Sequence, residues 1–188
     1  MGWKTEKIRL FSRSHRCAKR LLARAFPKRE RLPMAALCVL SLRKTADFFA
    51  YYEDASGQDE FCGFSFEYRS ETLWFLLYLA VEETKRSAGY GARILAQLKE
   101  RSGGLPCAVC AELPEEGVSD DATRRARIRF YEKCGFSDTG YVIEDRSGRY
   151  ALLTEGAEAP GGVSAEACLA LMKKLSFGFY RGRAVRKE

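Results

Sequence analysis

The stretch KRSAGYGARIL, residues 85–95, places two glycines two apart, with Arg86 three residues before the first and an apolar, helix-like run behind them. The first turn of a helix carries backbone N–H groups without intrahelical partners and a partial positive charge. Glycines there lack a Cβ, so an anion can come close to the backbone. An arginine adds a fixed charge and paired donors. Residues of these types in this order favour phosphate or pyrophosphate. A Walker loop is excluded, because no Gly-Lys-Ser/Thr follows. The dinucleotide fingerprint also fails, because Ile94 stands where its third glycine belongs. What remains is V-x4-R-x-x-G-x-G, from Val81 to Gly91, and a simple strand-to-helix turn satisfies the same spacing.

Three further groups could do chemistry. Tyr131, in RFYEKCGF (129–136), carries a phenol on what reads as an amphipathic helix, where a core aromatic is the plain reading. Glu112 closes an apolar run and is a candidate general base, or a strand-end carboxylate in solvent. Glu82 and Glu83 are weaker candidates that would act through a water.

These residues must be positioned by regular elements. KIRLF (7–11) reads as a short strand. Residues 14–27 read as a helix capped by Ser14, with a stripe of Cys17, Leu21, Leu22 and Ala25, and ended by Pro27. Residues 33–43 suit a second short helix. Residues 47–54 and 61–68 read as strands joined by the turn ASGQDE. TLWFLLYLAV (72–81) shows no alternation, as expected of a central strand buried on both faces. A helix follows over 89–101, a buried strand over 106–113, and a helix over 119–136 with capping residues at its start and Gly135 at its end. Residues 139–145 and 148–154 read as a hairpin, APGG (159–162) as a break, and 164–175 as a last helix. Helices interleaved with a mixed sheet make this an α/β (α+β) layered fold.

Composition narrows the class. The chain has 188 residues, 46% hydrophobic and 30% charged, and its net charge is +7, which is an ordinary globular composition. The charge is uneven. Residues 1–45 carry 13 Lys/Arg against 2 Asp/Glu, the middle is acidic, and residues 173–188 are basic again. Basic ends could meet nucleic acid, an anionic ligand or the acidic middle of the same fold. Nucleic acid is not favoured, because the charged stretches show neither a DNA-binding motif nor aromatics placed for stacking. The seven cysteines are odd in number and mostly sit in apolar runs, pointing to a reducing cytosol rather than a disulfide scaffold. Cys107-Ala-Val-Cys110 lies on an expected strand, where residues three apart face opposite sides, so no metal site is expected. No run is long enough to span a membrane. Residues 32–42 have the length of a signal-peptide core but lack its cleavage site. Met1-Gly2 lacks the Ser/Thr of a myristoylation signal, since Glu6 stands there.

Arg-x-x-Gly-x-Gly after a central strand, followed by a strand and a helix ending in FYEKCGF, resembles the GNAT superfamily of acyl-CoA-dependent N-acyltransferases. The resemblance covers roughly residues 7–154 and is specific at 81–95 and 130–136. It implies a central mixed sheet whose middle strands splay, in a domain over 1–156, with 157–188 forming a C-terminal helix and tail on that domain. It implies acetyl-CoA as co-substrate and a small-molecule or peptide amine as acceptor. Arg86, Ser87, Ala88, Gly89, Tyr90, Gly91 and Ala92 then match the pyrophosphate loop. Leu79, Ala80 and Val81 match the strand end that pairs with the pantetheine arm, and Tyr131 matches the acid that protonates the thiolate. The glutamate common on the central strand is missing at Leu76, Leu77 and Tyr78, which makes Glu112 the candidate base and also supports a second reading, an acyl-CoA-binding module of this fold with little catalysis. Arg124 and Arg127 replace an asparagine and a small residue, and could reach CoA phosphates or narrow the channel. The first two helices, which wall the acceptor site in such folds, are strongly basic here; charges facing the cleft would favour an acceptor bearing an acid group, and the plainer alternative is that they face solvent. The expected protein is cytoplasmic, and a monomer or homodimer.

Overall fold

Aromatic-rich runs make two long strands, β2 (Ala46–Ala55) and β3 (Gln58–Arg69), the longest elements of the sheet, and β3 is buried without a break from Phe61 to Tyr68. The computed structural model describes residues 2–55, 57–156, 163–175 and 180–187. The other strands are β1 (Trp3–Lys7), β4 (Trp74–Val81), β5 (Cys107–Glu112), β6 (Ser137–Glu144), β7 (Arg149–Glu155) and β8 (Arg183–Arg186). The helices are α1 (Arg13–Ala25), α2 (Met34–Leu40), α3 (Tyr90–Ser102), α4 (Asp121–Lys133) and α5 (Ala165–Leu175). Together they make the expected α/β arrangement, a mixed eight-stranded sheet with helices. The chain divides into two compact units, Met1–Tyr68 with Leu76–Leu98 and Arg69–Phe75 with Lys99–Glu188.

In the first unit the strand order is β1-β2-β3-β4. β1 and β2 are antiparallel, with Trp3 opposite Glu53 and Lys7 opposite Phe49. β2 and β3 are antiparallel from Ala46↔Tyr68 to Ala55↔Gln58, and their register slips between Tyr51 and Tyr52. Phe48 packs edge-on to Phe64 and Phe66 at 5.9 and 5.6 Å. The first strand lies at 3–7 rather than 7–11. The ladder needs alternation, which Trp3 to Lys7 supply, whereas Leu10 and Phe11 are exposed beyond it. Ser12, not Ser14, caps α1: its hydroxyl accepts the His15 N–H at 3.0 Å. Ser14 instead starts the buried stripe that continues through Ala18, Leu21 and Leu22, so Cys17 and Ala25 lie off its centre. The hairpin between β2 and β3 is tighter than the expected turn; Ser56 within it lies outside the described residues.

In the second unit the order is β5-β7-β6-β8, all antiparallel. β8 was not foreseen; Tyr141 to Glu144 pair with Arg186 to Arg183. α4 closes as expected at Gly135 (φ 91): the Gly135 N–H donates to Glu132 O and the Phe136 N–H to Tyr131 O, at 3.0 and 3.1 Å. Its start differs. Asp120 makes no side-chain cap, because its carboxylate is turned onto Arg124 Nε at 3.0 Å. The APGG break lies outside the described residues.

Candidate functional site

β4 changes character along its length. Trp74, Phe75 and Leu76 are buried in succession, as a strand covered on both faces requires, but beyond them Leu77, Leu79 and Val81 are only half-buried, alternating with buried Tyr78 and Ala80. One face of the strand is therefore partly open at its C-terminal end. Tyr78 fixes the neighbouring chain: its hydroxyl donates to Glu30 O and accepts the Leu32 N–H at 3.0 Å, which ties the connection between α1 and α2 onto β4. Burial pushes the Tyr78 phenol up to about 12.

Val81 leads into a 3₁₀ turn, Glu83–Lys85, and then into α3 at Tyr90. The Glu82 N–H donates to Cys62 O at 2.8 Å, so the loop leaves the sheet from a fixed point. Ser87 (φ 61) and Gly89 (φ 83) both take the left-handed conformation. Left-handed residues close together fold consecutive amides toward one side, as anion-binding nests do. The first intrahelical bond of α3 is Arg93 N–H to Gly89 O at 3.0 Å, so the amides of Tyr90, Gly91 and Ala92 precede it and point out of the helix start. A Cβ on Gly89 would meet nothing within 4 Å. The space above the loop is open, and the residues from Arg86 to Gly89 are exposed. Arg86 directs its Nε toward Val81 O at 3.4 Å. Charge, amides and open space fit a pyrophosphate.

Gly63 is a part of this site that its sequence, FCGFSF, signals only as a glycine inside a strand. A Cβ at that position would stand 2.3 Å from Ala80 O and 3.2 Å from Val81 Cα. The backbone of β4 at 80–81 runs where it does because residue 63 has no side chain. Glu82 is also occupied: Arg24 Nη2 reaches its two oxygens at 2.7 and 2.9 Å. Glu83 is exposed on the 3₁₀ turn.

The second unit holds the remaining candidates. Tyr131 is 5% exposed on α4, with Phe130 and Phe136 edge-on at 5.2 and 5.5 Å. Burial pushes its phenol well above the usual range, against a smaller downward pull from Arg127. The ring stays protonated at any physiological pH. Glu112, ending β5, is 5% exposed and is not a strand-end carboxylate in solvent. Its Oε1 lies 3.0 Å from Arg124 Nη2. Arg124 is itself buried and further held by Leu113 O at 3.1 Å, Asp120 at 3.0 Å and Glu115 at 3.7 Å. Its guanidinium is thus committed within α4 and the end of β5. Arg127 is half-buried one turn further along. Among the described residues no group of three or more His, Cys, Asp or Glu could hold a metal ion, and no helix is long and apolar enough to cross a membrane.

Comparison with known proteins agrees with the geometry. A family model described as acetyltransferase (GNAT) domain matches residues 44–138. No curated protein matches the sequence. Among solved structures, an aminoglycoside 6'-N-acetyltransferase complexed with coenzyme A is 20% identical, with a TM-score of 0.61 over 81% of this chain and 96% of that one. The PaiA N-acetyltransferase of Thermoplasma acidophilum, also in complex with coenzyme A, is 16% identical, with a TM-score of 0.54 over 82% and 99% of the two chains. The ribosomal-protein-S18-alanine N-acetyltransferase of Escherichia coli is 15% identical, with a TM-score of 0.58 over 88% and 97%. At these identities the likeness speaks to the fold.

Proposed function

Since this chain belongs to the GNAT acetyltransferase superfamily, we propose that it takes acetyl groups from acetyl-CoA and passes them to a primary amine. The observation that carries the proposal is the loop at the start of α3, where Ser87 and Gly89 turn the backbone left-handed beside Arg86. Acetyl-CoA supplies an activated acyl thioester. The chain supplies the amides of 87–92 and the Arg86 charge for the pyrophosphate. The backbone of Leu79 to Val81, at the partly open C-terminal end of β4, orients the pantetheine arm.

Tyr131 is assigned the proton for the departing thiolate. Its buried, protonated phenol is a stored donor, and such acids are typically worth about 10²- to 10⁴-fold in rate. Glu112 is the carboxylate assigned as base. It must accept a proton while one oxygen stays bonded to Arg124, so its share is smaller than that of a free carboxylate. Arg124 and Arg127 are the remaining cations assigned near the cofactor's phosphates, with Arg124 acting chiefly by holding Glu112.

The acceptor is proposed to carry an acidic group besides its amine. The connection between α1 and α2 is fixed onto Tyr78, two residues before Ala80, and bears Lys28, Arg29 and Arg31. A polycationic amine would meet unfavourable charge there. The test is thiol release from acetyl-CoA over a panel of amines with and without carboxylate or phosphate groups. Turnover with acid-bearing amines is expected. CoA binding without turnover on any amine would contradict acetyl transfer, and a preference for polycations would contradict the acceptor class.

A further inference from the structure

We infer that Glu53 is the positioning residue of the phosphate loop: a carboxylate on β2 that fastens both ends of the loop and so holds its amides in anion-binding geometry. The inference rests on the reading of that loop as the CoA pyrophosphate site.

The loop residues 86–89 are bounded by Lys85 before and Tyr90 after. Both bounding side chains converge on Glu53 Oε2. Lys85 Nζ lies 3.3 Å from it, and the Tyr90 hydroxyl donates a short hydrogen bond to the same oxygen. Lys85 also reaches Glu60 Oε2 at 2.7 Å, and its ammonium sits 5.4 Å from the centre of the Tyr90 ring. The Trp3 ring lies 6.0 Å from that of Tyr90, and its indole N–H donates to Gln97 Oε1 on α3 at 2.8 Å. The start of α3 is therefore held at its first residue and again two turns on.

The register explains why Lys85 must be there. Glu53 and Glu60 stand directly opposite each other on β2 and β3, and like charges in such a pair repel. A cation between them removes the conflict, and the chain draws that cation from the loop. The Glu53 side chain is only 8% exposed, so it needs partners for the charge it carries. The Tyr90 hydroxyl, followed by Lys85, holds its carboxyl below the usual range against the opposing effect of burial, and the same bond pushes the Tyr90 phenol up.

Between the two pins lies Ser87, a non-glycine residue at φ 61. Such a conformation persists only where the surroundings over-determine it. Fixing both ends does this without occupying the open side of the loop. A loop ordered beforehand spends less of its binding energy on ordering when the ligand arrives. Glu53 therefore acts on the phosphates through Lys85 and Tyr90, without contact.

The test compares Glu53→Ala, Tyr90→Phe and the double variant with the parent. The readout is kcat/KM on one acceptor amine with acetyl-CoA and with S-acetylpantetheine, which has the same thioester but no pyrophosphate. The parent is expected to prefer acetyl-CoA. Each single variant is expected to lose roughly ten-fold of that preference, the scale of one hydrogen bond to a charged group. The loss should fall chiefly on acetyl-CoA, with S-acetylpantetheine turnover changing by less, and the double variant should be no worse than Glu53→Ala, because both act through one bond. Variants that keep the full preference, or that lose both substrates equally, would overturn the inference. A parent with no preference would remove the loop reading itself, and the Glu53 role with it. Tyr90→Phe carries the test alone if Glu53→Ala does not fold.

Discussion

At the scale of single residues, two positions shape the proposed chemistry, one by the side chain it has and one by the side chain it lacks. Tyr131 is enclosed by Phe130 and Phe136, and burial keeps its proton on. Removing the hydroxyl leaves the ring and its packing in place, so Tyr131→Phe should fold normally and bind CoA as the parent does. Its kcat should fall by about 10²- to 10⁴-fold, the range general acids supply. Steady-state rates beside calorimetric CoA affinity check this; an unchanged kcat would leave Tyr131 as a packing residue. The sign of the pH effect follows from the raised phenol. The folded state holds this proton more tightly than the unfolded state, so the stability it contributes is full below about pH 10, the unfolded value, and is lost above it. Tyr131 should therefore add no alkaline limb to the rate below that pH. Gly63 is the absent side chain. Gly63→Ala would drive a methyl into the Ala80 carbonyl at 2.3 Å. Part of the cost is destabilisation, and the remainder should appear as weakened binding of the thioester arm, because the displaced backbone is that of 80–81. Melting temperature and acetyl-CoA KM together measure the two, and a variant equal to the parent in both would show that β4 is not set by this contact.

At the scale of elements, α4 is docked through a buried charge pair. Arg124 on the helix and Glu112 at the end of β5 are 7% and 5% exposed. Removing one partner of such a pair leaves the other charged in a poor solvent, which costs about 3–5 kcal/mol. Arg124→Leu should lower the urea midpoint correspondingly, while Glu112→Gln, which keeps a hydrogen-bond acceptor for the guanidinium, should cost less. Equal, small effects would mean that the pair is solvated in solution. The same elements show what was readable in advance. The loop, β4, α3 and the Gly135 cap were legible because each carries a local signal: glycine spacing, an unbroken apolar run, a helical stripe. β1 was misplaced because an edge strand such as WKTEK is polar, and the apolar Leu10 and Phe11 beside it imitate a strand. β8 was missed for the same reason: RAVR is four residues long with charged ends. Ser14 has the residue type of a helix cap, yet it is buried and Ser12 does the capping. The buried state of Glu112, the Gly63 contact and the Glu53 clamp depend on register between strands distant in sequence. No local pattern reports that.

At the scale of the whole molecule, the basic ends turn inward on the acidic middle. Lys4 pairs with Asp59, Lys7 with Asp47 at 2.8 Å and Arg24 with Glu82 at 2.7 Å. In the second unit Arg183 pairs with Glu144 at 2.8 Å and Lys187 with Asp138. Part of the charge asymmetry along the chain is thus met within the fold, although exposed pairs of this kind are worth at most about 1 kcal/mol each. The central claim is that the loop opening α3 binds the pyrophosphate of CoA. The direct measurement is the thermal unfolding of the parent and of Gly89→Val with and without CoA. A ligand present at ~100 times its dissociation constant should add about 2.7 kcal/mol to the stability of the parent. Gly89→Val strains a left-handed position and fills the space over the amides, so its melting temperature should not respond to CoA. A parent protein whose melting temperature does not move at millimolar CoA would contradict the account.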